Sequence, residues 1–132
     1  MSIKSFFAIP FAKSVTKKVK KWANKPHETQ EKVFKSLIAK GRKTAFGKDH
    51  DFENIHNYSD FKKRVKVQDY EGLRAYVDRI VAGESNVLWP GKPLYFAKTS
   101  GTTSGAKYIP ITKDSMPTHI KAAKDALLFY RM

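Results

Sequence analysis

With 132 residues, 26 Lys+Arg against 12 Asp+Glu and no cysteine, the chain excludes a disulfide scaffold and any thiolate metal or redox centre. It is long enough for one modest core, and its 41% apolar content argues against wholesale disorder. The net charge of +14 is uneven: residues 1–66 carry 17 Lys/Arg and 6 acids, residues 67–132 carry 9 and 6, and the first 27 residues hold seven lysines and no acid. Such a stretch raises nucleic acid or an anionic membrane as a partner, against the plainer reading of a solvated face.

No apolar run nears the roughly 20 residues of a membrane-spanning helix. Phe6-Phe7-Ala8-Ile9 is interrupted at once by Pro10, with no small-residue cleavage site behind it, so a cytoplasmic location is expected. From there Phe11, Val15, Val19 and Trp22 share one helical face and Lys13, Lys17, Lys20 and Lys21 fall largely opposite, which predicts a basic amphipathic helix within residues 1–25. Peripheral contact with a membrane is one use of that pattern. Docking of the Phe/Val/Trp stripe on the rest of the protein is the expected one.

Pro26 breaks this helix, and a second begins near His27 with Val33, Phe34, Leu37 and Ile38 as its apolar stripe and Gly41 at its end. Thr44 to Asn57 reads as a polar connection. Its triplet Asp49-His50-Asp51 has no further acidic or histidine cluster at ligand spacing, so no metal is expected. Ser59 is the expected N-cap of a short helix through Phe61 and Val65, and Tyr70, Leu73, Val77, Ile80 and Val81 mark another, ended by Gly83. Beyond Leu88-Trp89-Pro90-Gly91 the period changes, with extended segments at 93–98 and 107–111. Thr112 or Asp114 then caps a last helix with Pro117 in its first turn and a stripe of Ile120, Ala123, Ala126, Leu127 and Phe129. The fold class expected is α+β, extending to α/β: helices within residues 1–82, two strands flanking a loop, and a final helix.

That loop carries the chemistry. Thr99-Ser100-Gly101-Thr102-Thr103-Ser104-Gly105-Ala106-Lys107 packs five hydroxyls, two glycines and one lysine into nine residues. Glycines let the backbone approach a bulky anion and take positive φ, successive amides form an inward-pointing nest, and hydroxyls and lysine add donors and charge. The combination suits a polyphosphate. It differs from the P-loop of nucleoside triphosphatases, which needs Gly-Lys followed by Ser or Thr, and no Gly-x-Gly-x-x-Gly opens a helix as a dinucleotide fold would require. A flexible connection between two strands is the alternative.

Thr99 to Lys107 resembles the phosphate-binding loop of the adenylate-forming superfamily that includes firefly luciferase and acyl-CoA synthetases, with Ser104 displacing the second glycine to Gly105 and Ala106 standing where proline is usual. That departure is similar to one branch, the acyl-acid amido synthetases of the plant auxin-responsive family and their bacterial relatives. The flanks resemble it too: Thr44-Ala45-Phe46-Gly47-Lys48, Phe61-Lys62 leading to Val65, Asp69-Tyr70-Glu71, and Gly83-Glu84 before Asn86-Val87-Leu88-Trp89-Pro90-Gly91. Lys66 stands where relatives often carry proline.

The resemblance implies an ATP- and Mg2+-dependent ligase that activates a carboxylic acid as an acyl-adenylate and passes the acyl group to an amine, such as an amino acid, to form an amide. Ser100, Thr102, Thr103 and the amides of Gly101 and Gly105 then cradle the phosphates, with Thr99 and Ser104 in the same loop, and Lys107 neutralises the leaving pyrophosphate. It further implies that residues 26–132 are the incomplete N-terminal portion of a large adenylation domain, inactive alone. The competing classes are a basic module gripping nucleic acid or anionic lipid through residues 1–66, which lacks an identifiable nucleic-acid motif, and a purely structural helical fragment.

Overall fold

A computed structural model of the protein describes residues 3–99 and 105–130, with side chains for residues 9–99 and 105–129. The chain divides into two compact units, residues 1–31 with 114–132, and residues 32–113. Among the described residues the architecture is mostly helical with one two-stranded antiparallel sheet, which is the α+β form of the expectation.

In the first unit, α1 (Ile3–Ala23) packs against α6 (Met116–Tyr130). Pro10, which interrupts the apolar run of the sequence, lies inside α1 without ending the helix. The proline ring fixes φ near the helical value, so the helix continues at the loss of a hydrogen bond. A correction concerns the covered face. Ala12 and Val15 are buried and Thr16 and Val19 half-buried, an i, i+3, i+4, i+7 seam, whereas Phe11 and Trp22 remain 63% and 53% exposed at its margin. Lys13, Lys17, Lys18, Lys20 and Lys21 face solvent as expected. In α6, Pro117 does occupy the first turn, but the residue before the helix is Ser115, whose carbonyl accepts the N–H groups of Thr118 and His119. Its expected apolar stripe is not a buried one: Ile120, Leu127 and Phe129 are exposed, and Asp125 and Leu128 are half-buried instead. A helical period fixes which residues share a face; it does not say which face a neighbour covers.

The second unit holds most of α2 (Pro26–Gly41) and then α3 (Ala45–Asp49), a 3-10 turn (Phe52–Asn54), α4 (Tyr58–Arg64), α5 (Tyr70–Val81), β1 (Tyr95–Thr99) and β2 (Lys107–Ile111). Its core is Ile38, Phe52 and Ile55, against which Phe34, Phe46, Phe61 and Val65 pack. Val33 and Leu37, expected inside, are exposed because the covered edge of α2 runs through Phe34, Ile38 and Gly41. The stretch from Thr44 to Asn57 is the larger surprise. Read as polar connection, it supplies Phe46, Phe52 and Ile55 to the core from elements too short to show a period. Phe46 and Phe52 meet edge to face at 5.9 Å, and Phe52 meets Phe61 at 6.3 Å.

Thr44 starts α3: its hydroxyl accepts the Gly47 N–H at 3.0 Å and donates to the Gly41 carbonyl at 2.7 Å. Gly47 is dictated by contact, since a Cβ there would stand 2.0 Å from the Gly41 oxygen. The remaining donors of the first turn reach the connection before the sheet, Ala45 N–H to the Asn86 carbonyl at 2.8 Å and Phe46 N–H to that of Val87 at 3.0 Å. Asn57 rather than Ser59 caps α4, accepting the Asp60 N–H at 3.0 Å while the Asp60 carboxylate accepts the His56 N–H. Asp69 caps α5 through the Gly72 N–H, and Gly83 follows that helix at φ +95°.

Candidate functional site

Chain reversal at Asn86–Gly91 sets the entry to the sheet. Asn86 (φ 58°) accepts the Gly91 N–H on its side-chain oxygen at 2.8 Å and donates its own N–H to the Gly91 carbonyl at 2.9 Å, with Gly91 at φ +80°. β1 and β2 then pair antiparallel in the register Tyr95↔Ile111, Phe96↔Pro110, Ala97↔Ile109, Lys98↔Tyr108 and Thr99↔Lys107. The strand nearer the N-terminus runs Tyr95–Thr99, two residues into the segment expected at 93–98, and the second matches its expected span.

Thr99 and Lys107 therefore stand opposite each other, the last residue of β1 against the first of β2. Ser100, Gly101, Thr102, Thr103 and Ser104, expected to meet phosphate, lie outside the described residues. Gly105 adopts φ +79°, with open space where a side chain would stand, a conformation that suits glycine and leaves its backbone approachable. Lys107 is half-buried; its ammonium lies 5.4 Å from the centroid of the Tyr70 ring. Tyr70, the first residue of α5, also accepts the Tyr108 N–H on its hydroxyl at 2.9 Å. Lys98 lies over a different ring, that of Tyr108, at 6.0 Å. Tyr70 is the residue that sequence reasoning placed in an apolar stripe and not in the site. The available signal was its position directly after the Asp69 cap, where a side chain projects beyond the helix end.

Ile80, Val87, Leu88, Trp89, Pro93 and Pro110 line a cleft of about 140 Å³. The Asp49-His50-Asp51 triplet is spent on structure. Asp49 accepts from the Tyr76 hydroxyl at 2.8 Å, and burial followed by this bond pushes the Tyr76 phenol up. His50 Nδ1 meets the Phe46 carbonyl at 2.9 Å. Asp51 pairs with Arg64 and Asn54, which together hold its carboxyl below the usual carboxylate range.

Comparison with known sequences adds the family. The model described as GH3 family N-terminal domain matches residues 15–131. The chain is 30% identical over 95 residues to indole-3-acetic acid-amido synthetase GH3.15 of Arabidopsis thaliana, covering 70% of this chain and 16% of that protein. It is 26% identical over 100 residues to indole-3-acetic acid-amido synthetase GH3.2 of the same plant (74% and 18%). To the probable indole-3-acetic acid-amido synthetase GH3.2 of Oryza sativa subsp. japonica it is 32% identical over 89 residues (66% and 14%). The chain thus spans less than a fifth of the length of these relatives.

Proposed function

The chain belongs to the GH3 family, and from that membership we propose that it forms the phosphate-binding part of a ligase that joins a carboxylic acid to an amine. The observation that carries this reading is the in-register pair Thr99↔Lys107, which brackets a sequence rich in hydroxyls and glycine and sets a lysine directly after it. The donor set fits a polyphosphate: Gly105 at φ +79° leaves room for close approach of an anion to the backbone, and amides, hydroxyls and lysine all donate.

In the proposed reaction a carboxylate oxygen of the acid attacks the α-phosphorus of ATP, the bond to the β-phosphate oxygen breaks, and pyrophosphate leaves with the electron pair. The amine nitrogen then attacks the acyl carbon, loses a proton and displaces AMP to give the amide. The chain's own task lies in the first step. Thr99, Ser100, Gly101, Thr102, Thr103, Ser104 and Gly105 hold the β- and γ-phosphates so that attack is in line, and Lys107 stabilises charge gathering on the pyrophosphate oxygens. Magnesium bound with the nucleotide supplies further neutralisation of that charge. On this reading the fold is the leading part of an adenylate-forming domain.

Lys107→Ala tests it. Loss of a positioned cation from the leaving group predicts a fall in ATP–pyrophosphate exchange of about 10²–10³-fold, with folding unchanged because the ammonium makes no ion pair among the described residues. Exchange at the wild-type rate would remove Lys107 from the reaction.

A further inference from the structure

We propose that Tyr70 is a positioning residue for Lys107, aiming its ammonium while leaving the charge uncancelled; the assignment rests on the phosphate-site reading above. Two contacts made by one phenol carry it. The Tyr70 hydroxyl accepts the Tyr108 N–H at 2.9 Å, fixing the backbone one residue beyond Lys107, and the Tyr70 ring stands 5.4 Å from the Lys107 ammonium. The phenol has a stiff base. It is the first residue of a helix capped by Asp69 at 3.0 Å and held by the buried Val77 and Ile80.

The choice of partner matters for an anion site. Among the described residues no carboxylate pairs with Lys107, whereas Arg64, Arg74, Arg79 and Lys121 are each paired with an acid. A carboxylate in place of Tyr70 would hold the ammonium but neutralise it toward a phosphate. An aromatic face restricts where the ammonium goes through its quadrupole and adds no opposing net charge. The neighbouring Lys98 is held on Tyr108, so the two strand lysines rest on separate rings. Lys107 is thus presented preoriented, which lowers the ordering cost of binding.

The test uses Tyr70→Phe and Tyr70→Leu in the complete protein, each alone and combined with Lys107→Met, with two kinds of readout. Without nucleotide, exchange of the Tyr108 amide is expected to quicken in both Tyr70 variants, while the ring-current shift of the Lys107 side-chain protons survives in Tyr70→Phe and vanishes in Tyr70→Leu. With ATP-Mg, Tyr70→Phe is expected to keep affinity within about twofold and Tyr70→Leu to lose about two- to fivefold, the worth of an exposed to partly desolvated cation–π contact. On the Lys107→Met background, Tyr70→Leu should cause no further loss, because coupled residues are not additive. An equal loss on both backgrounds, or an unchanged Lys107 shift in Tyr70→Leu, overturns the positioning role. Lys107→Met that binds ATP-Mg as tightly as wild type instead overturns the phosphate-site reading on which the role depends, and the nucleotide-free shift tells the two failures apart.

Discussion

Thr44 concentrates a large structural consequence in one hydroxyl. It is 1% exposed, donates to the last carbonyl of α2 and accepts the amide of Gly47, so one side chain closes the end of one helix and the start of the next. Valine in its place fills the volume but leaves the Gly47 N–H unpaired away from water and the Gly41 carbonyl with the Thr44 N–H alone. We expect Thr44→Val to lower unfolding free energy by about 1–3 kcal/mol, measured by denaturant titration, and Thr44→Ser to recover most of it. A Thr44→Val chain as stable as wild type would mean that these groups find other partners. Gly47 imposes the complementary constraint: the 2.0 Å approach to the Gly41 oxygen admits no side chain. These two residues sit within the Thr44-Ala45-Phe46-Gly47-Lys48 segment by which the sequence resembles its family, and packing accounts for both.

Among elements, α4 and α5 show what a cap does to legibility. Both helices were readable from their apolar spacing, and α5 was located nearly to the residue. The start of α4 was misplaced because Ser59 and Asn57 are both good caps, and the choice falls to the one whose carbonyl oxygen reaches the Asp60 amide while Asp60 reaches back to His56. Asn57→Ala should therefore cost about 1 kcal/mol in a denaturant titration and Ser59→Ala a few tenths or less; the reverse order would restore Ser59 as the cap. The hairpin was readable for a different reason: two apolar runs of strand length flank a segment of Gly, Ser and Thr that belongs to neither. What was hidden was the core contribution of residues 44–57, where Phe46, Phe52 and Ile55 are carried by one short helix, a single 3-10 turn and the residue directly after it. Tyr70 was hidden likewise, because a spacing rule registers an aromatic as core and cannot see a hydroxyl turned toward a strand 38 residues away.

For the whole molecule, charge and pH are linked through a few pairs and not through the net +14. Arg64 and Asn54 hold Asp51 below its ordinary range, and Arg79 does the same to Glu84 through contacts at 2.6 and 2.8 Å. A carboxyl whose folded-state pKa is depressed contributes stability above the unfolded value and loses it as pH falls through the folded one. Denaturation midpoints should thus hold from neutrality to about pH 4.5 and then decline. Asp51→Asn with Glu84→Gln should flatten that decline slightly, since both pairs are exposed and solvent screens them; a steeper decline in the double variant would contradict the sign. Residues 3–14, the lysine-bearing start of α1, lie outside the region matched by the family.

The pairing of Phe96 with Pro110 has a consequence for assembly. Ladder bonding alternates along an antiparallel strand, so residues 108 and 110 of β2 direct their amide positions to the same, outer side. Tyr108 has committed its N–H to Tyr70, and Pro110 has none to give. The border of the sheet along β2 is therefore donor-poor, and a stray extended peptide arriving there meets a proline and a phenol in place of a template. The hairpin is in this way protected along its side from recruiting other chains.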